Sequence, residues 1–306
     1  MIFILIGIKN AIFPTPPPPP QVSFGKLPPL DFAPSNKVLS YSLDTISGNL
    51  PSFPKQVKVY EMQTSQPDLL ALSKAQAIVG NVGFSDSPTK ISDNIYQWRD
   101  QNGRILTMNI QTQNFSMFSD FLSDPNQPLF GQTEDKAVSV SQNFLSGMGL
   151  MPKDLDTPQS ALFSIKNYSI VPASSLSNAQ AVKVSFLQKP FNGLPIFYPM
   201  GQSPINFLVG QVNGGPQVVE ANFFYQAPSD VSSTYPIKTA QQALDDLKKG
   251  KAFIAVTTNS KVSLTNITLD YYMSQRSEDF LVPIFVFQGD GFLAYENAIT
   301  DEWVNK

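Results

Sequence analysis

The chain has 306 residues, no histidine and no cysteine, 15% charged residues and a net charge of −3. Without those two residue types there is no Ser-His-Asp triad, no Cys-His pair, no His-ligated metal, no disulfide and no lipid-modified cysteine. Near-neutral charge without a basic stripe argues against nucleic acid as a partner, while 42% hydrophobic residues suffice for one large core or two smaller ones.

Met1 to Phe13 is almost wholly apolar, with Lys9 as its only charge, and five consecutive prolines, Pro16 to Pro20, come directly after it. Thirteen helical residues cover about 20 Å, short of the roughly 30 Å hydrocarbon core of a bilayer. The run reads as a short signal segment or as the outer part of a longer membrane helix. No small-residue cleavage site comes after it, which favours an uncleaved anchor over residues 1–13. A buried N-terminal strand ahead of a loop is the alternative. The anchor reading places the chain at the cell membrane, tethered once, with its body on the extracytoplasmic side. Residues 14–55 are rich in proline and read as a linker, ordered late, near Val38 to Ile46. Residues 14–30 are expected to be extended and to touch the body little, since proline removes donors and polyproline II makes a stiff spacer.

A helix is predicted from about Asp68 to Val79, with Pro67 in its first turn and Leu69, Leu72, Ala75 and Val79 at helical spacing. Asn102-Gly103 then signals a hairpin between Ile95–Arg99 and Ile105–Ile110. A second helix is predicted over Glu134 to Ser146, with Thr133 as N-cap, acids in the first turn, and Ala137, Val140, Phe144 and Leu145 on one face. Asn192-Gly193 signals a turn from Val182–Leu187 to the segment around Ile196-Phe197-Tyr198. Asn213-Gly214-Gly215 joins Ile205–Gln211 to Gln217–Tyr225. A third helix runs over 239–249, with Thr239 and Gln242 as a capping box, Ala243, Leu244 and Leu247 as its stripe, and Gly250 as its stop. Gly289-Asp290-Gly291 closes a last hairpin between Leu281–Phe287 and Phe292–Ala298.

Helices interspersed with hairpins, without strand–helix–strand alternation of parallel type, give an α+β fold. The expectation is of curled antiparallel sheets, each packed by a helix, in repeated helix–hairpin units. The units would span 56–130, 131–235 and 236–306, after the anchor and the Pro-rich linker.

Little here points to catalysis. Gly210 to Gly215 lies between strands and opens no helix, so it is not a phosphate loop. The acid pairs Glu134-Asp135, Asp245-Asp246, Glu278-Asp279 and Asp301-Glu302 are sequence neighbours, which diverge on a helix and oppose on a strand, so they read as solvated surface. Asp120, Asp124 and Asn126 lack the Gly and closing Glu of a calcium loop. No cofactor or metal is expected. Tyr96 and Trp98 share one face of a strand, as do Phe285 and Phe287. Such rows either fill a core or form a sugar- or peptide-binding platform, and these four are the candidate binding residues. Asn114-Phe115-Ser116, Asn167-Tyr168-Ser169 and Asn266-Ile267-Thr268 match the glycosylation sequon, which has meaning only in a eukaryotic secretory host.

Ala240 to Gly250, then Ile267-Thr268-Leu269-Asp270-Tyr271-Tyr272, Leu281-Val282-Pro283-Ile284-Phe285-Val286-Phe287 and Phe292-Leu293-Ala294-Tyr295, resemble the end of bacterial YycH/YycI-type membrane-anchored proteins and related PepSY-like domains. The match covers roughly residues 236–299, and its motifs are structural. It departs at the N-terminus, where the family carries a full membrane helix after a basic cytoplasmic segment. The resemblance implies an extracytoplasmic, non-enzymatic, regulatory protein acting by contact with another envelope or membrane protein. A carboxylate-based hydrolase of envelope glycans and a protease-inhibitor or chaperone-like module are the alternatives.

Overall fold

The computed structural model describes residues 18–35, 37 and 39–305. The apolar run over 1–13 and Pro16-Pro17 lie outside the described residues.

The fold is α+β and built on two sheets. The strands of the first are β3 (Thr89–Lys90), β4 (Ile95–Arg99), β5 (Ile105–Asn109), β6 (Phe115–Phe118), β7 (Gln159–Lys166), β8 (Ser169–Pro172), β9 (Ala181–Ser185), β11 (Ile205–Val212) and β12 (Gly215–Phe223). This nine-stranded sheet has the order β3-β4-β5-β6-β12-β11-β9-β7-β8 and is antiparallel throughout. The second comprises β1 (Ser40–Leu43), β2 (Gln56–Met62), β10 (Ile196–Phe197), β13 (Pro228–Pro236), β14 (Phe253–Thr257), β15 (Lys261–Tyr272), β16 (Phe280–Gly289) and β17 (Phe292–Asn297). This eight-stranded sheet has the central order β1-β15-β16-β17-β14. Its two parallel pairings, β1 and β10 against β15, lie outside the hairpin logic of the sequence.

Helices α1 (Ala71–Gly80) and α2 (Glu134–Gly147) both cover the nine-stranded sheet. Ala71, Ala75 and Val79 of α1, and Ala137, Phe144 and Leu145 of α2, share one core with Trp98, Leu106, Met108, Phe207 and Phe223. Helix α3 (Ala240–Lys248) packs Ala243, Leu244 and Leu247 on the eight-stranded sheet. The capping box forms as expected, with Thr239 Oγ1 accepting from Gln242 N and Gln242 Oε1 accepting from Thr239 N. The first helix starts three residues later than its periodicity suggests. Asp68 instead caps the preceding turn through Leu70 N, and Leu69 is left fully exposed.

The hairpins at Asn102-Gly103, Asn213-Gly214 and Gly289-Gly291 are present. Asn213 and Gly214 adopt φ of 52° and 79°, the left-handed pair that a two-residue turn needs. The Asn192-Gly193 turn also forms, at φ 48° and 81°, with Phe191 and Leu194 exchanging backbone hydrogen bonds. The strands on either side of it do not pair, however. β9 pairs with β7 and β11, while β10 joins β15 in the other sheet, so this turn carries the chain between the sheets.

The described part of the Pro-rich segment does not stand away from the body. Leu27 is fully buried; its N–H donates to Trp303 O at 2.9 Å, and its carbonyl accepts from Asn305 N at 2.9 Å. Val22 N–H donates to Thr234 O, and Tyr235 Oη donates to Gly25 O. The Phe24 ring lies 5.0 Å from Phe280, and the Phe32 ring 5.0 Å from Tyr295. Between the prolines sit apolar residues at Val22, Phe24, Leu27, Leu30 and Phe32. Their burial outweighs the stiffness that proline confers, and the segment becomes a strap over the eight-stranded sheet. The linker over 14–55 also holds strand β1, which pairs with β15 from Ser40 to Leu43.

Sheet membership does not respect the divisions near 130 and 235. β2 joins the C-terminal strands, and β3–β6 join β7–β9, β11 and β12 through the β6–β12 pairing.

Candidate functional site

The chain passes between the sheets after β2, around β10, and between β12 and β13. A cleft of about 620 Å³ opens beside the first and last of these crossings. One wall is the chain leaving β2, Gln63 to Pro67; a second is Tyr225 to Ala227, between β12 and β13. A third is the β15–β16 connection at Ser277, Glu278 and Asp279, and the β5–β6 loop with Asn94 completes the lining.

Local backbone chemistry builds this site. Asn109 ends β5, and its Oδ1 accepts from Gln111 N at 3.0 Å and Thr112 N at 3.2 Å. Such an Asx turn suits a loop of amide and hydroxyl residues. Asn114 Oδ1 accepts from Tyr225 N at 3.0 Å and ties the loop to the crossing. The carbonyl oxygens of both asparagines are thus committed, while among the described residues their Nδ2 groups donate to nothing. Gln226 holds the opposite wall, donating from Nε2 to Gln63 O and Glu278 O and accepting Glu278 N on Oε1. Beyond Gln63, the backbone groups of Thr64 and Ser65 make no hydrogen bond among the described residues.

Glu278 and Asp279 are the charged residues of the lining, which holds no lysine or arginine. Burial pushes the Glu278 carboxyl up, against a 2.6 Å hydrogen bond from Ser274 Oγ that favours its ionised form. Tyr225 donates its hydroxyl to Asp154 Oδ1 at 3.0 Å. Asp154 Oδ2 accepts from Gln188 Nε2, and Gln188 Oε1 accepts from Tyr198 Oη at 3.0 Å. Burial, together with the Asp154 carboxylate, holds the Tyr225 hydroxyl protonated well above its usual range, and burial pushes Tyr198 up to about 12. This chain of hydrogen bonds fixes the Tyr225 ring in place and leaves its hydroxyl as a structural donor.

The candidate binding residues lie elsewhere. Trp98, Phe285 and Phe287 are fully buried, and Tyr96 is half-buried beside Trp98 with ring centroids 6.3 Å apart. Trp98 belongs to the core beneath α1 and α2, and Phe285 and Phe287 to the core beneath α3. These rows obey the period-two alternation of strands whose inner faces are covered, so they supply packing and no exposed platform.

The acid pairs divide. Glu134 stays at the first turn of α2 and accepts from Ser160 Oγ. Asp246 and Asp301 both ion-pair with Lys238, at 3.0 and 3.2 Å, and with Lys251, at 3.1 and 3.3 Å. Glu278 and Asp279 reach the cleft. Asp246 is buried against Lys238 and Lys251, while Asp279 and Asp301 stay exposed, as expected of solvated surface. Asp124 Oδ1 caps Asn126 N at 2.8 Å, and among the described residues no three acids converge to hold a metal. The amides of the cleft carried one sequence signal, the run Asn109-Ile110-Gln111-Thr112-Gln113-Asn114, which reads as an ordinary polar turn until Tyr225 and Glu278 are placed against it.

No family model matches the chain, and no curated protein matches it. Among solved structures it is similar to an uncharacterized protein from Eubacterium rectale, at 11% identity over 87% of this chain and 91% of that one, with a TM-score of 0.38. A likeness of that size carries over neither fold nor function.

Proposed function

We propose that this is a membrane-tethered, extracytoplasmic protein that works by binding an envelope or membrane protein, in a regulatory capacity, through the cleft between its two sheets. The observation that supports this reading most is the character of the lining. It is concave and amide-rich, and hydrogen bonds fix the side-chain oxygens of Asn109 and Asn114 while leaving their Nδ2 groups for a ligand. The apolar run over 1–13 supports the tether. The strap over 18–32 would join such a tether directly to the eight-stranded sheet. No helix among the described residues is long and apolar enough to cross a membrane, so the tether rests on residues 1–13. In the same reading the body is three units of a helix and its antiparallel strands: α1 with β3–β6, α2 with β7–β9, β11 and β12, and α3 with β14–β17.

The test is a comparison of full-length chains in their host envelope. Wild type and a Thr64→Arg/Ser65→Trp variant, which fills the cleft from an exposed segment, are each retrieved after mild cross-linking. The reading expects one partner retained by wild type and lost by the variant, with both chains in the membrane fraction and with equal circular dichroism. Equal retention by the variant, or a chain found only in the soluble fraction, contradicts it. A hydrolase reading would gain if Glu278→Gln alone abolished function in a folded protein.

A further inference from the structure

We propose that the cleft takes an extended polypeptide segment bearing a lysine or arginine side chain; the inference rests on the cleft being the binding site. Each peptide unit offers one donor and one acceptor, and two features of the lining match that repeat. The Nδ2 groups of Asn109 and Asn114 remain as donors, since their oxygens are held by Gln111, Thr112 and Tyr225 backbone. Thr64 and Ser65 continue from β2 with main-chain groups unpaired among the described residues, the kind of track on which an added strand forms main-chain hydrogen bonds.

Charge selects the side chain. Glu278 and Asp279 face the cleft without a lysine or arginine in the lining, so an acidic segment meets like charge and a basic one meets two acids. Arg276 is the nearest cation along the chain, and it is engaged by Asp31 at 2.7 Å. Tyr225, the aromatic of the lining, is held through Asp154 and offers a fixed ring beside which the stem of a long basic side chain can lie. A glycan would use the hydroxyl-matching amides equally well. It would leave the acids and the Thr64–Ser65 main chain unused.

The test is NMR titration of the isotope-labelled full chain in nanodiscs with three probes. These are a blocked alanine–threonine pentapeptide with a central lysine, the same peptide with a central glutamate, and chitotetraose. The inference predicts that the lysine peptide shifts the amides of Thr64, Ser65, Asn114 and Glu278, and that the glutamate peptide binds at least about tenfold more weakly. Asp279→Asn, at an exposed side chain, should weaken the lysine peptide several-fold and reduce its salt dependence. Shifts at those amides with the sugar and with neither peptide would overturn the peptide inference and leave the cleft as a binding site. Equal affinity for the two peptides would overturn the charge selection. Shifts confined to other parts of the molecule would overturn both the inference and the reading beneath it.

Discussion

The Glu296 carboxyl, 3% exposed, stands 3.9 Å from Lys238 Nζ, too far for a hydrogen bond, and among the described residues neither of its oxygens has a partner. Lys238 is already engaged by Asp246 at 3.0 Å and Asp301 at 3.2 Å, and Lys251 serves the same two acids. Two cations thus balance two carboxylates, and a third buried negative charge has no counterion left. Burial first, and then the neighbouring Asp246 and Asp301, push Glu296 up to about 8 against the pull of Lys238.

A carboxyl raised in the folded state binds more protons there than in the unfolded chain. Its contribution to stability is therefore full below its unfolded value of 4.5 and is lost as pH rises through about 8. Glu296→Gln should be close to neutral at pH 5 and stabilising by about 2 kcal/mol at pH 9. Urea unfolding of the two proteins across that range checks it. A variant less stable than wild type at pH 9 would show that the charge is compensated.

Arg104 should be intolerant of lysine. Its guanidinium bonds Asp100 at 2.7 Å, Val82 O at 3.2 Å and Val218 O at 3.3 Å, and lies 5.2 Å over the Phe84 ring. It joins the β4–β5 turn, the end of α1 and strand β12. A lysine keeps the charge and cannot span three partners, so Arg104→Lys should cost about 2 kcal/mol in chemical denaturation. A change below about 0.5 kcal/mol would mean that these bonds exchange freely with water.

Leu27 tests the strap. It is fully buried between the Trp303–Asn305 backbone and the core under α3, so Leu27→Ala should destabilise by about 3 kcal/mol. The same substitution at Leu69, which is fully exposed, should change stability by less than about 0.5 kcal/mol. Matching thermal melts for the two variants would place the strap off the body.

At Gly103 and Gly214 the chain adopts φ of 76° and 79°. Replacement of either by valine should cost roughly 1 kcal/mol or more, since β-branched residues are strained there. Melting temperatures unchanged by both substitutions would sink that account of the turns.

Features fixed within a few residues were legible in the sequence. Thr239 and Gln242 cap a helix wherever it sits, and Asn213-Gly214 reverses a strand whatever it packs against. Pairing beyond the turn was not legible. Asn192-Gly193 forms its turn, yet the next strand, β10, joins β15 in the other sheet, where Ile196 and Phe197 meet Tyr271 and Tyr272. The prolines around Leu27 hid a buried strap for the same reason: its partners, Thr234, Phe280 and Trp303, come from the far end of the chain. Trp98, Phe285 and Phe287 were ambiguous between platform and core, since alternation shows which residues share a face and is silent on what covers it. Asn109, Asn114 and Glu278 lie in segments whose convergence only the tertiary fold creates.

The most direct test of binding through the inter-sheet cleft is site-specific photo-cross-linking in the native envelope. A photoreactive residue replaces Thr64 in the cleft, or Thr265 at an exposed position of β15, in the otherwise intact chain. Binding through the cleft predicts a discrete adduct from position 64, competed by the lysine peptide, and background from position 265. A discrete adduct from position 265 with background from position 64 would contradict it.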